Sequence, residues 1–446
     1  MMDNFILRTK EFLEDAKDTY IELIRGDYPT AFTRNRKVGV FPLMLQMFAQ
    51  KGRTQLSELM DFYKELDAPL DISTVGFYNA RMKFNPEALR VMSNDFVSEV
   101  YDEENDSMVK LNGYLITAID GSDFILPSTE ENAEKYGRSI GSALDEKNVP
   151  VMGKLSVIYD CINKIIFDSC VGEYKHSERD FASLHLHALK ETVRTPTITI
   201  FDRGYFSMRL VNQMVENNQK FLFRLQGGVL TRYVDQVTSG EDKDFEVTFN
   251  RLQTNEYRHD KPLRMKLMNT IYPIRICKIP IKNKKTGKVE DEILLTNVSR
   301  EEFDIEAMKE LYHLRWEIET AYNVVKNRMK LEEFSGYRDR LIRQDMYACI
   351  WLHNIIMFKI IETNEKQEIP QERYKHEMKR NVNIAIGVIK SYFVKAVISE
   401  DKEECSKCFD IVDELMIKYL VPKRPDRNYK RGNVKNKSRM SYRYTY

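Results

Sequence analysis

The stretch Leu311-Tyr-His-Leu-Arg-Trp-Glu-Ile-Glu-Thr-Ala-Tyr-Asn-Val-Val-Lys326 says most about the fold and function of this chain. At about 100° per residue, one helix would bring its main polar side chains within an arc of roughly 60°. These side chains are Tyr312, Arg315, Glu319 and Lys326. The opposite side would carry an apolar stripe of Leu314, Ile318, Ala321, Val325 and Met329. The pattern predicts a core-packed helix whose outward face suits metal and phosphate.

The same face has a plainer interpretation. Arg315 and Glu319 are four residues apart, a spacing that supports ordinary surface ion pairs on helices. A mixed-charge helix face is often only solvated, so the rest of the chain has to decide between the two interpretations.

Composition limits the class of protein. The chain has 446 residues, of which 42% are hydrophobic, so it can bury a large core and form roughly two to four domains. Acidic residues interrupt the N-terminus where a secretory signal would be apolar, and the apolar runs are too short to span a bilayer. We therefore expect a globular cytoplasmic protein that has no membrane partner.

The cysteines and histidines predict no separate metal site. Six scattered cysteines fit a reducing compartment. Cys405 and Cys408 form a lone C-x-x-C in a helical pattern, without the second ligand pair that zinc would need. His185 and His187 flank a leucine in an apparently helical run, and we interpret them as structural.

Charge directs attention to the C-terminus. The formal net charge is only +1, so any binding of nucleic acid must come from local patches. Residues 423–446 are basic, rich in tyrosine and without hydrophobic periodicity, which predicts a disordered tail. Such a tail could neutralise phosphates and stack on bases, or it could serve only for solubility.

Residues 1–108 have helical periodicity, in segments 5–23, 41–49, 56–66 and 72–82. The last two, joined by a short turn and capped by Ser73 or Thr74, resemble a helix-turn-helix. Arg81 and Lys83 would lie at the far end of its second helix. We predict an N-terminal helical domain that binds DNA, although such helix pairs also occur in proteins that never meet DNA.

Strands alternate with helices over residues 109–225, which predicts an α/β layer architecture. Two apolar strand patterns end in an acid, at Asp120 and Asp202, and Gly121 or Gly204 follows shortly after. Strand ends of this kind commonly form ligand sites, and glycine allows close approach of the backbone. Asp-Gly is also an ordinary turn pair. Together with Glu319, however, the two aspartates supply the oxygen ligands that Mg²⁺ or Mn²⁺ prefers.

These motifs together resemble the DDE transposases of the insertion-sequence-4 family. The resemblance rests on Asp120 after a strand, the Asp202-Arg-Gly-Tyr run and the Y-x2-R-x3-E-x6-K spacing from Tyr312 to Lys326. It spans about residues 110–360. It implies an RNase H-like mixed sheet with flanking helices, interrupted by a β-rich insertion.

The resemblance also divides the chain. The catalytic core would comprise residues 109–225 and 297–360, separated by the insertion at 226–296, which includes a basic hairpin tip at 282–288. That tip is a candidate phosphate contact or a plain solvated turn. C-terminal helices and the basic tail would occupy residues 361–446.

By the same resemblance, Asp120, Asp202 and Glu319 would be the catalytic residues and would hold two divalent ions, Mg²⁺ or Mn²⁺. Tyr312, Arg315, Lys326 and Arg203 would contact DNA. The partners implied are double-stranded DNA, both transposon ends and target, with a dimer assembled on the DNA.

One departure concerns the excision step, in which some relatives clamp a flipped base with a tryptophan of the insertion. The two tryptophans here are Trp316 and Trp351, which both lie outside it. The hairpin step that uses such a clamp is therefore in question for this chain.

The function expected is that of a transposase that binds terminal inverted repeats, nicks DNA hydrolytically and joins the 3′ ends to a target. Two alternatives remain: a metal-dependent nuclease without strand transfer, and a catalytically idle DNA-binding protein derived from a transposase. The presence of all three acids argues against the idle alternative.

Overall fold

The structure is a computed structural model and describes residues 5–34, 38–104, 106–139, 149–282, 287–399 and 401–423. Part of the predicted hairpin tip and nearly all of the predicted C-terminal tail lie outside these residues.

The N-terminal part is helical, as predicted. Its helices are α1 (Phe5–Thr19), α2 (Ile21–Arg25), α3 (Val40–Ala49), α4 (Gln55–Glu65), α5 (Thr74–Arg81) and α6 (Pro86–Glu103). The predicted helix pair is α4 and α5, and the side chain of Ser73 caps α5 by accepting a hydrogen bond from the Gly76 N–H. Arg81 does not point toward a DNA surface: it is 1% exposed and forms an ion pair of 2.7 Å with Asp345.

The centre of the molecule is an eight-stranded mixed sheet. Its strands are β1 (Leu115–Ile125), β2 (Met152–Asp160), β3 (Ile166–Glu173), β4 (Thr197–Phe201), β5 (Lys220–Arg224), β6 (Asp242–Val247), β7 (Tyr272–Lys282) and β8 (Val289–Thr296). The order is β3-β2-β1-β4-β5-β8-β7-β6, with β1, β4 and β5 parallel and β2 antiparallel to β1. The predicted mixed sheet is confirmed. The strands of the predicted insertion extend this sheet because β8 pairs with β5.

Helices cover the sheet and continue along the chain to Lys418. They are α7 (Glu130–Tyr136), α8 (Glu178–Thr192), α9 (Met208–Glu216), α10 (Thr231–Val234), α11 (Lys261–Asn269), α12 (Ile305–His313), α13 (Trp316–Asn323), α14 (Asp339–Lys366), α15 (Val382–Ile398) and α16 (Lys402–Lys418). A separate two-stranded sheet pairs β9 (Met378–Arg380), which comes just before α15, with β10 (Leu420–Pro422), which comes just after α16. No helix among the described residues is long and apolar enough to cross a membrane.

Two hydrophobic cores lie on opposite faces of the sheet. Alternate residues of β1 belong to different cores. In the first core Ile116 and Ala118 pack with α12 and α13, and in the second core Leu115 and Ile119 pack with α8. The second core also contains the N-terminal helices and α14–α16. The boundary predicted near residue 108 is thus a change in secondary structure without a break in packing, and the domain division stays a prediction.

Candidate metal and DNA site

Two neighbouring parallel strands bring Asp120 and Asp202 to the same level. In the β1–β4 ladder, Ala118 pairs with Ile200, so two residues further along each strand are Asp120 and Asp202. Side chains two apart in a strand share a face. Both acids therefore point to the face covered by α12 and α13, as do Ala118 and Ile200 before them.

The two acids differ in their backbone setting. Asp202 directly follows β4, as predicted, but Asp120 does not end its strand: β1 continues to Ile125. The extension occurs because β2 still pairs with β1 beyond the last β4 partner, from Asp120 opposite Val157 to Ile125 opposite Met152. Asp120 therefore lies in a strand that is hydrogen-bonded on one side only at this level.

Only one of the two predicted glycines has a close neighbour that explains it. The Gly121 N–H donates to Asp120 Oδ1 at 2.9 Å, and a Cβ on Gly121 would lie 3.2 Å from Glu178 Oε1. At Gly204, a Cβ would meet nothing within 4 Å. Close approach thus accounts for Gly121 and not for Gly204.

The predicted single helix over residues 311–326 is interrupted. α12 ends at His313, α13 begins at Trp316, and the N–H groups of Leu314 and Arg315 bond three residues back, as in a tight turn. A π-helical turn, Val324–Arg328, follows α13. The uniform 100° step therefore fails, and the prediction of an outward polar face was wrong for Tyr312 and Arg315, which are only 2% and 4% exposed.

Three of the four polar residues nevertheless reach the strands that carry Asp120 and Asp202, and the fourth, Glu319, is linked to them through Arg315. The Tyr312 hydroxyl donates to Asp202 Oδ1 at 3.0 Å. Arg315 donates from Nη2 to Glu319 Oε1 at 3.2 Å, and its Nη1 lies 4.0 Å from Asp120 Oδ2. Lys326 Nζ donates to Ser122 Oγ at 3.0 Å. Tyr312, Arg315 and Lys326 therefore all contact β1 or the residue after β4, and Arg315 links Glu319 to Asp120.

The electrostatics separate the two aspartates. Burial raises the pKa of Asp120 to about 7; the carboxylates of Glu178 and Asp202 add to the rise, and the Gly121 N–H and Arg315 oppose it. At Asp202 burial also acts to raise the pKa, but the Arg203 N–H, Arg315 and the Tyr312 hydroxyl outweigh it, so this pKa is lowered. Near neutral pH Asp202 is ionised, while Asp120 is close to half protonated.

Arg203 is exposed directly after Asp202 and contributes its backbone N–H to that carboxylate. A second arginine, which the sequence analysis missed, lies on the buried side. Phe201 pairs with Phe223, so Arg224 ends β5 at the level of Asp202 and on the same face. Its guanidinium lies 5.8 Å from the centre of the Tyr312 ring and forms an ion pair of 2.9 Å with Glu292.

Glu178 was also missed. It begins α8 on the opposite face of the sheet, beside Gly121, and Lys154 Nζ donates to its Oε1 at 2.9 Å. Parallel strand register could have indicated Arg224, but no local pattern marks Glu178, because its approach to β1 depends on the packing of α8.

A different set of potential ligands clusters more tightly. Among the described residues, Asp168, Cys170 and His185 offer ligand atoms within 4.8 Å of one another, although His185 was predicted to have no metal partner. Arg90 donates two hydrogen bonds to the Asp168 carboxylate, at 2.8 and 2.9 Å, and Asn94 donates a third at 2.9 Å. Burial raises the pKa of the Cys170 thiol to about 12, so it stays protonated. We interpret this cluster as a structural network.

The site around Asp120 fits a divalent cation better. Asp120, Asp202 and Glu319 offer carboxylate oxygens, the ligands preferred by Mg²⁺ and Mn²⁺. The pKa of Asp120 is raised partly because neighbouring carboxylates add negative charge, which a bound cation would offset. Arg315 already contacts Asp120 and Glu319, so a cation has to share this space with a guanidinium.

Comparison with known proteins identifies the family. The family model described as "Transposase DDE domain" matches residues 111–355. The chain belongs to this family. All seven predicted site residues of this transposase DDE domain lie within the matched span, and the predicted resemblance is confirmed.

One curated protein similar to this chain is "Transposase InsG for insertion sequence element IS4" from Escherichia coli (strain K12). It is 21% identical over 263 residues, which cover 57% of this chain and 54% of the relative. The match thus spans about half the length of that relative.

A solved structure, "Cryo-EM structure of piggyBac transposase synaptic complex with hairpin DNA (SNHP)", is similar over 91% of this chain and 83% of that chain. Its TM-score is 0.42 at 9% identity, and we base no conclusion on it.

Proposed function

We propose that this protein is a DNA transposase that binds the terminal inverted repeats of its insertion sequence, nicks DNA by metal-dependent hydrolysis and joins the 3′-OH ends to target DNA. One observation carries the proposal. Asp120 and Asp202 stand at one level of adjacent parallel strands, and Arg315 joins Asp120 to Glu319, within a transposase DDE domain.

Asp120, Asp202 and Glu319 would hold two divalent ions, Mg²⁺ or Mn²⁺. When bound, such ions activate water or a 3′ hydroxyl for attack on a phosphodiester and stabilise the leaving oxygen. Asp202 is ready to bind a cation at neutral pH because its pKa is lowered, and the Tyr312 hydroxyl fixes the orientation of its carboxylate. Below about pH 7 most molecules carry a protonated Asp120, which has to release its proton before it can bind a cation.

Arg315 and Lys326, with Arg203 as a further candidate, would hold DNA backbone phosphates near the scissile bond, and Tyr312 would hydrogen-bond or stack near the transposon terminus. A guanidinium can bind phosphate in a bidentate manner and stays charged at any relevant pH. Phosphate oxygens would compete with Glu319 for Arg315, so DNA binding would free carboxylate oxygens for the cations. Arg224 adds positive charge behind Tyr312 and Asp202.

Double-stranded DNA is the proposed partner, with a dimer formed on paired transposon ends. We infer that the N-terminal helical domain, which contains the α4–α5 pair, binds DNA. The buried Arg81–Asp345 ion pair links α5 to α14, so the orientation of this helix pair is coupled to the core.

The test uses purified full-length protein with labelled DNA that carries the native flanks of the gene, and it separates binding, cutting and joining. Shifted complexes, cuts at two related repeats and joined products are the expected result. Cutting without joining would reduce the function to that of a nuclease. Binding without cutting would indicate an idle DNA-binding protein.

A further inference from the structure

Tyr322 lies one turn after Glu319 on α13 and connects that helix to the catalytic strand. Its hydroxyl donates to the backbone carbonyl of Asp120 at 2.7 Å, and the carbonyl of Leu155 on β2 lies 3.2 Å away. Tyr322 is 8% exposed. The ring packs in the same core as α12 and α13, so the side chain is held at both its ring and its hydroxyl.

The acceptor is what makes this contact unusual. Asp120 offers its carboxylate to the proposed metal site and its carbonyl to Tyr322. Burial and the Asp120 charge raise the pKa of Tyr322 well above its usual value, so the hydroxyl stays protonated and remains a donor. The helix that carries Glu319 therefore holds the backbone of Asp120 through its carbonyl, next to the carboxylate that would bind the cation.

The other links between this helical region and β1 are looser. Arg315 Nη1 is 4.0 Å from Asp120 Oδ2, an ion-pair distance beyond hydrogen bonding. Lys326 donates to Ser122 Oγ and to the Asp123 carbonyl, but it does so through a long, flexible side chain that also lies 3.5 Å from Glu332. The Tyr322 contact is short, and a tyrosine ring has few rotatable bonds, so it restricts the distance between helix and strand most tightly.

We propose that Tyr322 is a positioning residue that fixes the separation of Glu319 and Asp120 and thereby sets the affinity of the site for divalent cations. The inference rests on the proposed function, because it assumes that these two acids bind the cations. An ordinary core tyrosine would contribute to stability in the same fold without changing that affinity.

The substitution Tyr322→Phe keeps the ring and removes only the hydroxyl. The matched control is Tyr347→Phe, because Tyr347 is also buried and donates to Glu87 Oε1 at 3.0 Å between α14 and α6. Both variants should lose similar, small amounts of thermal stability. Mn²⁺ binding to the full chain, measured by calorimetry, should weaken about three- to tenfold in Tyr322→Phe only, the ratio expected for one lost hydrogen bond.

The wild type and Asp120→Asn separate failure of this inference from failure of the proposed function. If the wild type binds Mn²⁺ no better than Asp120→Asn, the proposed metal site itself is wrong. If the wild type binds Mn²⁺ well and Tyr322→Phe binds it equally well, the metal site stands and the role of Tyr322 is overturned. Equal weakening in Tyr322→Phe and Tyr347→Phe would also overturn it, because a general loss of stability would then explain the effect.

Discussion

Divalent-cation binding should depend strongly on pH through Asp120. Burial and the carboxylates of Glu178 and Asp202 raise the pKa of Asp120 to about 7, whereas a cation requires the ionised carboxylate. At about pH 6 roughly ten protonated molecules would be present for each ionised one, and at about pH 8 the ratio is reversed. The apparent affinity for Mn²⁺ should therefore be about tenfold lower at about pH 6 than at about pH 8, and nearly constant above that.

Calorimetry of Mn²⁺ binding to the full chain without DNA, at constant ionic strength, measures this effect. At the lower pH each binding event should also release about one proton, seen as a dependence of the heat on the buffer. Glu178→Gln removes a carboxylate that raises the pKa of Asp120, so the midpoint of the pH dependence should move to lower pH. Equal affinity at both pH values, with no proton release, would refute the reasoning.

Three further outcomes follow from the structure. Arg81→Met should lower the free energy of unfolding by about 3–5 kcal/mol because it removes the buried cation that balances the charge of the Asp345 carboxylate, while Arg53→Met, in an exposed ion pair, should cost less than about 1 kcal/mol. Equal losses in urea unfolding would contradict this. Burial lowers the pKa of His353 to about 4, so between about pH 6.5 and about pH 4 the unfolded chain binds a proton that the folded chain does not, and about 3 kcal/mol of stability should be lost as pH falls through this range. His353→Gln should flatten the plot of unfolding free energy against pH in this range, and an unchanged slope would show that His353 is not the cause. Lys326→Gln should weaken DNA binding uniformly across sequences and reduce the slope of log affinity against log salt by about 1, and an unchanged slope would exclude a phosphate contact.

Much of the fold could be predicted because local patterns specified it. Apolar runs separated by turn residues predicted the core strands, and the capping pattern at Ser73 predicted the start of the second helix in the α4–α5 pair. The level of Asp120 and Asp202 follows from parallel pairing of β1 and β4, which the sequence could suggest only through the family resemblance.

Where prediction failed, tertiary contacts outweighed local periodicity. β1 continues past Asp120 because β2 pairs with it to Ile125, and no local signal marks that extension. The turn at Leu314 and Arg315 breaks the expected helix and buries the guanidinium beside Glu319. An angular plot cannot foresee such a break, because all the residues involved are ordinary helix formers.

Residues that act through three-dimensional packing were the hardest to find. Glu178 approaches β1 only because Gly121 has no side chain and α8 begins there. Tyr322 looked like one more member of a helix, and its role depends on the carbonyl it reaches. The roles of such residues can be identified only from the three-dimensional structure.

The central claim is that Asp120, Asp202 and Glu319 together form a metal-dependent centre for DNA cleavage. The most direct test maps new 3′ ends at nucleotide resolution on DNA carrying the gene and its native flanks, with Mg²⁺ or Mn²⁺, for the wild type and Glu319→Gln. We predict cuts at two related flanking repeats with the wild type, and none with Glu319→Gln, which should still bind the ends because its shape is kept. Cutting by Glu319→Gln at the wild-type positions, or loss of DNA binding in a well-folded variant, would contradict the account.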